Sequence, residues 1–211
     1  MPGFFVVLEG PEGAGKSTLA RELAERMRAQ GIEPVVVREP GGTPAAEALR
    51  SELLDADRGW TPEAELLYVA AARADLVAKV IRPALEDGCV VLADRFDLST
   101  RAYQIAGRGL PAAQAEWVNR AATGGLVPDL TVVLDVPLGV GRERQLAAGK
   151  RGDRLDREPA AFHARVAQAY RDASGPGVVH VDAADSADRV LEAVWAVVGP
   201  AVQPFGEGAR R

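Results

Sequence analysis

Cysteine is almost missing from this chain of 211 residues: Cys89 stands alone. No internal disulfide and no multi-cysteine zinc site can therefore form. Histidine is nearly as scarce, with His163 and His180 only, which excludes a three-histidine metal centre. Positive charge is not in excess. Lys and Arg number 25 against 30 Asp and Glu, a formal net charge of −5, whereas a coat for duplex nucleic acid reads as a basic domain. A sum hides local patches, so a small anionic ligand stays open. No uncharged apolar run approaches the ~18 residues of a membrane helix. The apolar run Phe4 to Leu8 is followed at once by Glu9 and has no basic leader. The expectation is a cytosolic, reduced protein with no nucleic-acid and no membrane partner. Hydrophobic residues at 47% suffice for a core that needs no staple at this length.

Short β-branched runs alternate with longer helical stretches, the pattern of an α/β layered domain with a parallel sheet. Five runs read as strands: Phe4–Leu8, Pro34–Arg38, Cys89–Ala93, Thr131–Val136 and Val178–Val181. The first, Phe4–Leu8, is continuously apolar, as expected of a strand covered on both faces. Between the first two, Leu19, Leu23 and Met27 at spacing four form one helix face. Thr61-Pro62-Glu63 reads as N-cap, first-turn proline and early acid, opening a helix to about Leu85 that is interrupted or ended near Pro83. Further helices are predicted around Pro111–Ala122, Gly139–Ala148, Pro159–Ala173 and Ala187–Val198. Nothing divides the chain, so it is read as one domain, with a frayed tail from about 203 to 211.

The first strand runs into Gly10-Pro11-Glu12-Gly13-Ala14-Gly15-Lys16-Ser17 and then the amphipathic helix. This matches G-x-x-x-x-G-K-[ST] in its strand–loop–helix context. Glycines let successive N–H groups curl around a phosphate, and the helix N-terminus adds partial positive charge. Lys16 supplies a cation for the outer phosphates and Ser17 a hydroxyl for Mg²⁺. The motif specifies a nucleoside triphosphate without specifying its use. Asp94-Arg95-Phe96 ends the third strand, where open parallel sheets gather ligands. An acid there can position Mg²⁺, and an arginine can clamp phosphate oxygens.

No Asn-Lys-x-Asp segment specifies guanine, and no histidine stands ready as a base. A phosphate monoester acceptor is already anionic and needs none. Catalysis then reduces to gathering two phosphates, screening their repulsion and excluding water. Arginines for this occur early, at Arg50 and Arg95, and late, in Lys150-Arg151…Arg154, a cluster between two helices where a lid could close.

The chain resembles the bacterial thymidylate kinases over nearly its whole length. The resemblance rests on Glu9 to Ser17, Arg38-Glu39-Pro40-Gly41-Gly42-Thr43, Asp94-Arg95-Phe96, Ser99-Thr100-Arg101-Ala102-Tyr103-Gln104 and Asp129-Leu130-Thr131. Asp153-Arg154-Leu155-Asp156 and Phe162-His163 extend it. It implies the nucleoside monophosphate kinase fold, a five-stranded parallel sheet with helices on both faces and a short lid at about 146–157. It implies a homodimer that uses ATP and Mg²⁺ to phosphorylate dTMP to dTDP in dTTP biosynthesis.

Carried over by that resemblance, Gly10 to Ser17 bind ATP, and Ser17 and Asp94 flank the metal. Glu12 falls near the acceptor sugar, Glu39 on the acid lining the acceptor pocket, and Arg50 and Arg95 on the phosphate clamp. Arg73 falls on the base-reading arginine, with Thr100 and Gln104 at the pyrimidine edge. Tyr103 falls on the tyrosine that crowds a ribose 2′-hydroxyl. The phosphate loop carries no arginine while the lid carries Lys150, Arg151 and Arg154, so the chain resembles the lid-arginine type. Arg154 is the expected contact to the transferring group, beside Lys16, Asp94 and Arg95. One departure stands out: Val69 occupies the position of the family's stacking phenylalanine. Either Val69 packs on the base or Tyr103 or Phe96 takes over the stacking. Tyr68 points about 100° away.

Rival readings are a kinase for another nucleoside monophosphate, a deoxynucleoside kinase with Glu39 or Asp94 as base, and a nucleotide-gated switch. Cys89 reads as a buried filler, His180 as structural, and Trp60, Trp117 and Trp195 as core or dimer packing. Asp135 reads equally as a metal neighbour or a structural acid.

Overall fold

The computed structural model describes residues 2–55, 57–147, 149 and 153–206. Five strands form one sheet: β1 (Phe4–Glu9), β2 (Val35–Arg38), β3 (Val90–Asp94), β4 (Leu130–Asp135) and β5 (Val178–Asp182). Their order is β2-β3-β1-β4-β5 and every pairing is parallel. The helices are α1 (Lys16–Ala29), α2 (Pro44–Leu54), α3 (Pro62–Leu76), α4 (Arg82–Glu86), α5 (Asp97–Thr100), α6 (Ala112–Thr123), α7 (Leu138–Ala147), α8 (Ala160–Arg171) and α9 (Ala187–Val202). Strand order reverses at β1, so the crevice beyond its C-terminal end opens where the phosphate loop begins.

Two-sided burial explains why the central strands are apolar without alternation. Val6 and Leu8 of β1, Val90 and Leu92 of β3, and Val132 and Leu134 of β4 pack on α1 and α9. Phe5, Val7, Val91 and Ala93 face the other way onto Leu76, Ile81 and Phe96. Val133 meets Tyr103, Phe162 and Tyr170 on that same side. The period of two is intact, but both phases are hydrophobic because both faces are covered.

The helix opened by Thr61 continues past Leu76 through a wider π-helical turn, Val77–Ile81, into α4. The predicted interruption thus precedes Pro83. Arg82 N–H reaches back five residues to Val77 O, and the wider register makes room for a proline ring that would strike a carbonyl in regular α-helix. A second π-helical turn, Arg101–Gly107, extends α5 and carries Tyr103 and Gln104.

Two expectations are corrected, and a third, core or dimer packing for Trp117, is narrowed to the dimer. The tail is ordered further than foreseen: Gln203–Phe205 forms a 3₁₀ turn and Phe205 packs on Phe4 at 6.0 Å between ring centroids. Cys89 precedes β3 and is half-buried rather than a core filler. Trp117 is 71% exposed, so it packs in no core. Helix α2 was not foreseen, although Thr43-Pro44 repeats the Thr61-Pro62 signal; Thr43 Oγ1 accepts from Ala46 N at 3.1 Å. Within the expected lid, residues 148 and 150–152 lie outside the described residues, and with them Lys150 and Arg151.

Candidate active site

The loop from Gly10 to Ser17 passes straight into α1, whose first N–H groups have no partner within the helix. Lys16 is buried at the loop's centre, and its Nζ donates to Gly10 O at 2.9 Å and Pro11 O at 2.8 Å. Burial is the main force pulling its pKa down, to about 8, with Arg95 adding repulsion. An anionic phosphate would restore the ammonium's ordinary basicity. Ser17 Oγ donates to Asp94 Oδ2 at 2.6 Å, so β3 and the loop bring one hydroxyl and one carboxylate together.

Arg95 leaves β3 with φ 76°, a left-handed conformation that costs an L-residue about 1–2 kcal/mol. The turn aims its guanidinium back across the loop. Nη2 donates to Glu12 Oε1 at 2.6 Å and Tyr103 OH at 3.1 Å; Nη1 reaches Gly10 O at 3.1 Å and Tyr170 OH at 2.8 Å. Tyr103 OH also donates to Glu12 Oε1 at 3.0 Å. Beneath lies Glu9, fully buried at the end of β1. It accepts from Phe96 N (2.8 Å), Ser99 N (3.0 Å), Ser99 Oγ (2.7 Å) and Tyr170 OH (3.0 Å). Burial raises the Glu9 carboxyl's pKa; Arg95 and the Phe96 N–H oppose that. Glu9 thereby ties down the turn that strains Arg95.

One cleft of about 860 Å³ runs from the phosphate loop past Arg50 and Arg95 to Val69, Tyr103 and Gln104. At its other end it reaches Arg144 and Ser186. Arg50, on α2, donates to Pro40 O at 2.8 Å. Val69 lines the cleft and no aromatic replaces it from its own helix, since Tyr68 stacks on Trp60 at 4.4 Å. Of the two alternatives named above, Phe96 is ruled out: it is fully buried, edge-on to Phe5. Tyr103 alone of the pair lines the cleft.

Arg73, Glu39 and Thr100 lie in the layer behind this wall rather than along it. Arg73 Nε donates to Glu39 Oε2 at 2.7 Å, Nη1 to Thr100 Oγ1 at 2.7 Å and to Asn119 Oδ1, and Nη2 to Phe96 O at 2.8 Å. These contacts commit four N–H groups, and a guanidinium has five. The fifth has no acceptor among these contacts. Burial pushes the Glu39 carboxyl up to about 7 against the pull of Arg73, and its Oε1 is buried without a partner among the described residues.

Arg154 is not among the residues that line the cleft, although Asp153 and Leu155 on either side of it are. Its guanidinium donates to Leu53 O at 2.9 Å and to Glu65 Oε2 at 2.6 Å, and its N–H reaches Leu54 O at 3.3 Å. A buried carboxylate and the carbonyls at the end of α2 hold it there. Asp135 also resolves: it bonds His180 Nδ1 at 2.8 Å and serves the β4–β5 edge. Sequence reasoning assigned no role to Glu9, Tyr170, Glu65 or Arg108. Glu9 was detectable as an acid closing an apolar strand. Glu65 shares a helix face with Val69 and Arg73 at spacing four. Tyr170 had no local signal.

The hard-oxygen pair Ser17 and Asp94 suits Mg²⁺, which keeps few protein ligands and takes the rest from water and phosphate. No group of three or more His, Cys, Asp or Glu that could cage a metal occurs among the described residues. No helix among the described residues is long and apolar enough to cross a membrane.

Sheet order, loop and two-ended cleft define a P-loop phosphotransferase of the nucleoside monophosphate kinase fold. The family model described as thymidylate kinase matches residues 8–194. A thymidylate kinase of Pseudomonas fluorescens is 50% identical over 198 residues, covering 92% of this chain and 94% of that protein. One of Thermomicrobium roseum is 50% identical over 200 residues, with 92% and 94% covered. One of Ectopseudomonas mendocina is 52% identical over 171 residues, 81% of each chain. The chain belongs to the thymidylate kinase family.

Proposed function

We propose that this enzyme transfers the γ-phosphoryl group of ATP to the 5′-phosphate of dTMP, giving dTDP and ADP, in the cytoplasm and with Mg²⁺ held by Ser17 and Asp94. The observation that carries this is the undivided cleft, with a phosphate loop at one end and two arginines beside an apolar and amide-lined recess at the other. When bound, the metal neutralises charge on the transferring phosphates. The loop N–H groups and Lys16 hold the donor. Arg50 and Arg95 draw in the acceptor phosphate, whose oxygen forms the new P–O bond while the bond to the ADP oxygen breaks. No base is required. Tyr103, fixed by Glu12 and Arg95, is assigned to crowding a sugar 2′-hydroxyl. Gln104 and Arg73 are assigned to the base edge, with Thr100 and Glu39 holding Arg73. Arg154 is assigned to holding the C-terminal part of the lid against α2 and α3.

ADP formation measured with ATP, Mg²⁺ and dTMP, dUMP, UMP, CMP, AMP or thymidine in turn should be fastest with dTMP and absent with thymidine. Turnover indifferent to the acceptor, or preference for thymidine, would sink the assignment. Val69→Phe should lower the dTMP KM several-fold, because an aromatic stack adds about 1 kcal/mol. An unchanged KM would show that Tyr103 already supplies the stacking.

The homodimer implied by the family resemblance belongs to the same proposal. Leu67 on α3 is 57% exposed and Trp117 on α6 is 71% exposed, and these two helices pack together. Sedimentation should give twice the chain mass for the wild type and the single-chain mass for Trp117→Glu. A monomeric wild type would refute the dimer.

A further inference from the structure

Glu65 is buried on α3, and three side chains converge on its carboxylate. Oε1 accepts from Gln104 Nε2 at 2.8 Å and, more weakly, from Arg108 Nε at 3.2 Å; Oε2 accepts from Arg108 Nη2 at 2.8 Å, Arg108 Nε at 3.1 Å and Arg154 Nη2 at 2.6 Å. Arg108 continues to Glu158 at 2.6 Å, so charges alternate along Arg154, Glu65, Arg108 and Glu158. Burial alone would push the Glu65 carboxyl up, but the hydrogen bonds from Arg108, Arg154 and Gln104 outweigh it and hold it low. An ionised carboxylate offers acceptors only, so the amide nitrogen of Gln104 has to face it and the amide oxygen has to face away. Among the described residues nothing donates to that oxygen, and it is not sealed in the interior. The side chain lines the cleft beside Val69 and Tyr103.

We propose that Glu65 is a positioning residue that sets the hydrogen-bond polarity of the acceptor pocket. By holding the Gln104 amide nitrogen it presents an oxygen to the base. That selects a pyrimidine carrying N3–H over one whose N3 is a lone pair. This inference rests on the cleft being a pyrimidine monophosphate site. With cytosine, two acceptors would meet in a desolvated recess, the mismatch that polar pockets reject most strongly.

The test is the ratio of kcat/KM for dTMP to that for dCMP. In Glu65→Gln the two arginines take the one remaining oxygen. The new amide nitrogen then faces Gln104 and turns its amide over. The ratio should fall at least tenfold, and the same change in a Gln104→Ala background should move it less than threefold. A merely structural role would slow both substrates alike, and an unchanged ratio in Glu65→Gln overturns the proposal. A wild type with no preference for dTMP would instead overturn the reading of the site. If Glu65→Gln does not fold, the wild type still decides. Its Gln104 side-chain NH₂ signals, assigned by their loss in Gln104→Ala, should exchange slowly with solvent with or without dTMP. Exchange as fast as a free amide refutes the assignment.

Discussion

Arg95→Ala should lower kcat/KM for dTMP about a thousandfold, equivalent to roughly 4 kcal/mol of transition-state stabilisation. Arg95 is assigned to the acceptor phosphate and contacts Glu12, Tyr103, Tyr170 and Gly10 O. Its removal takes away a charged clamp and leaves Glu12 without that partner in a poorly solvated site. Part of the loss should therefore fall on kcat, since a misplaced acceptor attacks less often. The backbone should not relax to compensate. Alanine at φ 76° is no more comfortable than arginine, and Glu9 still holds Phe96 N and Ser99 N. Arg95→Lys should recover less than a tenth of the lost activity, because an ammonium cannot span two oxygens. Steady-state kinetics with dTMP varied checks this; a loss below tenfold in Arg95→Ala removes Arg95 from the mechanism.

Gly13→Ala should abolish productive ATP binding, with kcat/KM for ATP down at least a hundredfold. A Cβ at Gly13 would lie 2.0 Å from Gly141 O, and Gly13 has φ +75°. Both the space and the conformation forbid a side chain, and the obstacle is backbone. Helix α7 approaches the phosphate loop through a glycine pair, since a Cβ on Gly141 would in turn lie 2.6 Å from Glu12 O. Gly141→Ala is the informative partner. In an ordinary helix it would stabilise by about 0.5–1 kcal/mol. Here it should destabilise and raise the ATP KM, because α7 must back away from the loop. Thermal melts and ATP titrations of both variants check this. Full activity in Gly13→Ala would show that the loop and α7 are free to separate.

Much of this was legible from local chemistry. Five runs of β-branched residues located the strands, because a strand covered on both faces has no polar positions to obscure it. The phosphate loop was legible because its glycines, lysine and serine act at fixed spacing along one turn of chain. Thr61-Pro62 marked the start of α3, and Thr43-Pro44 carried the same mark for α2. What failed was long-range. Lys16 is placed by its motif, but nothing local to Arg154 pairs it with Glu65, 89 residues away.

The sequence by itself determined the α/β alternation, the phosphate loop and the absence of thiol or histidine chemistry, since each depends on residue type and spacing alone. Tertiary structure decided which arginines face the cleft. Arg50 and Arg95 line it, Arg73 is committed behind it to Glu39, Thr100, Asn119 and Phe96 O, and Arg154 is held by Glu65. The physical reason is that a guanidinium goes to its acceptors. Those acceptors are buried carboxylates 34 and 89 residues away in the chain, with carbonyls from the turn after β3 and from the end of α2.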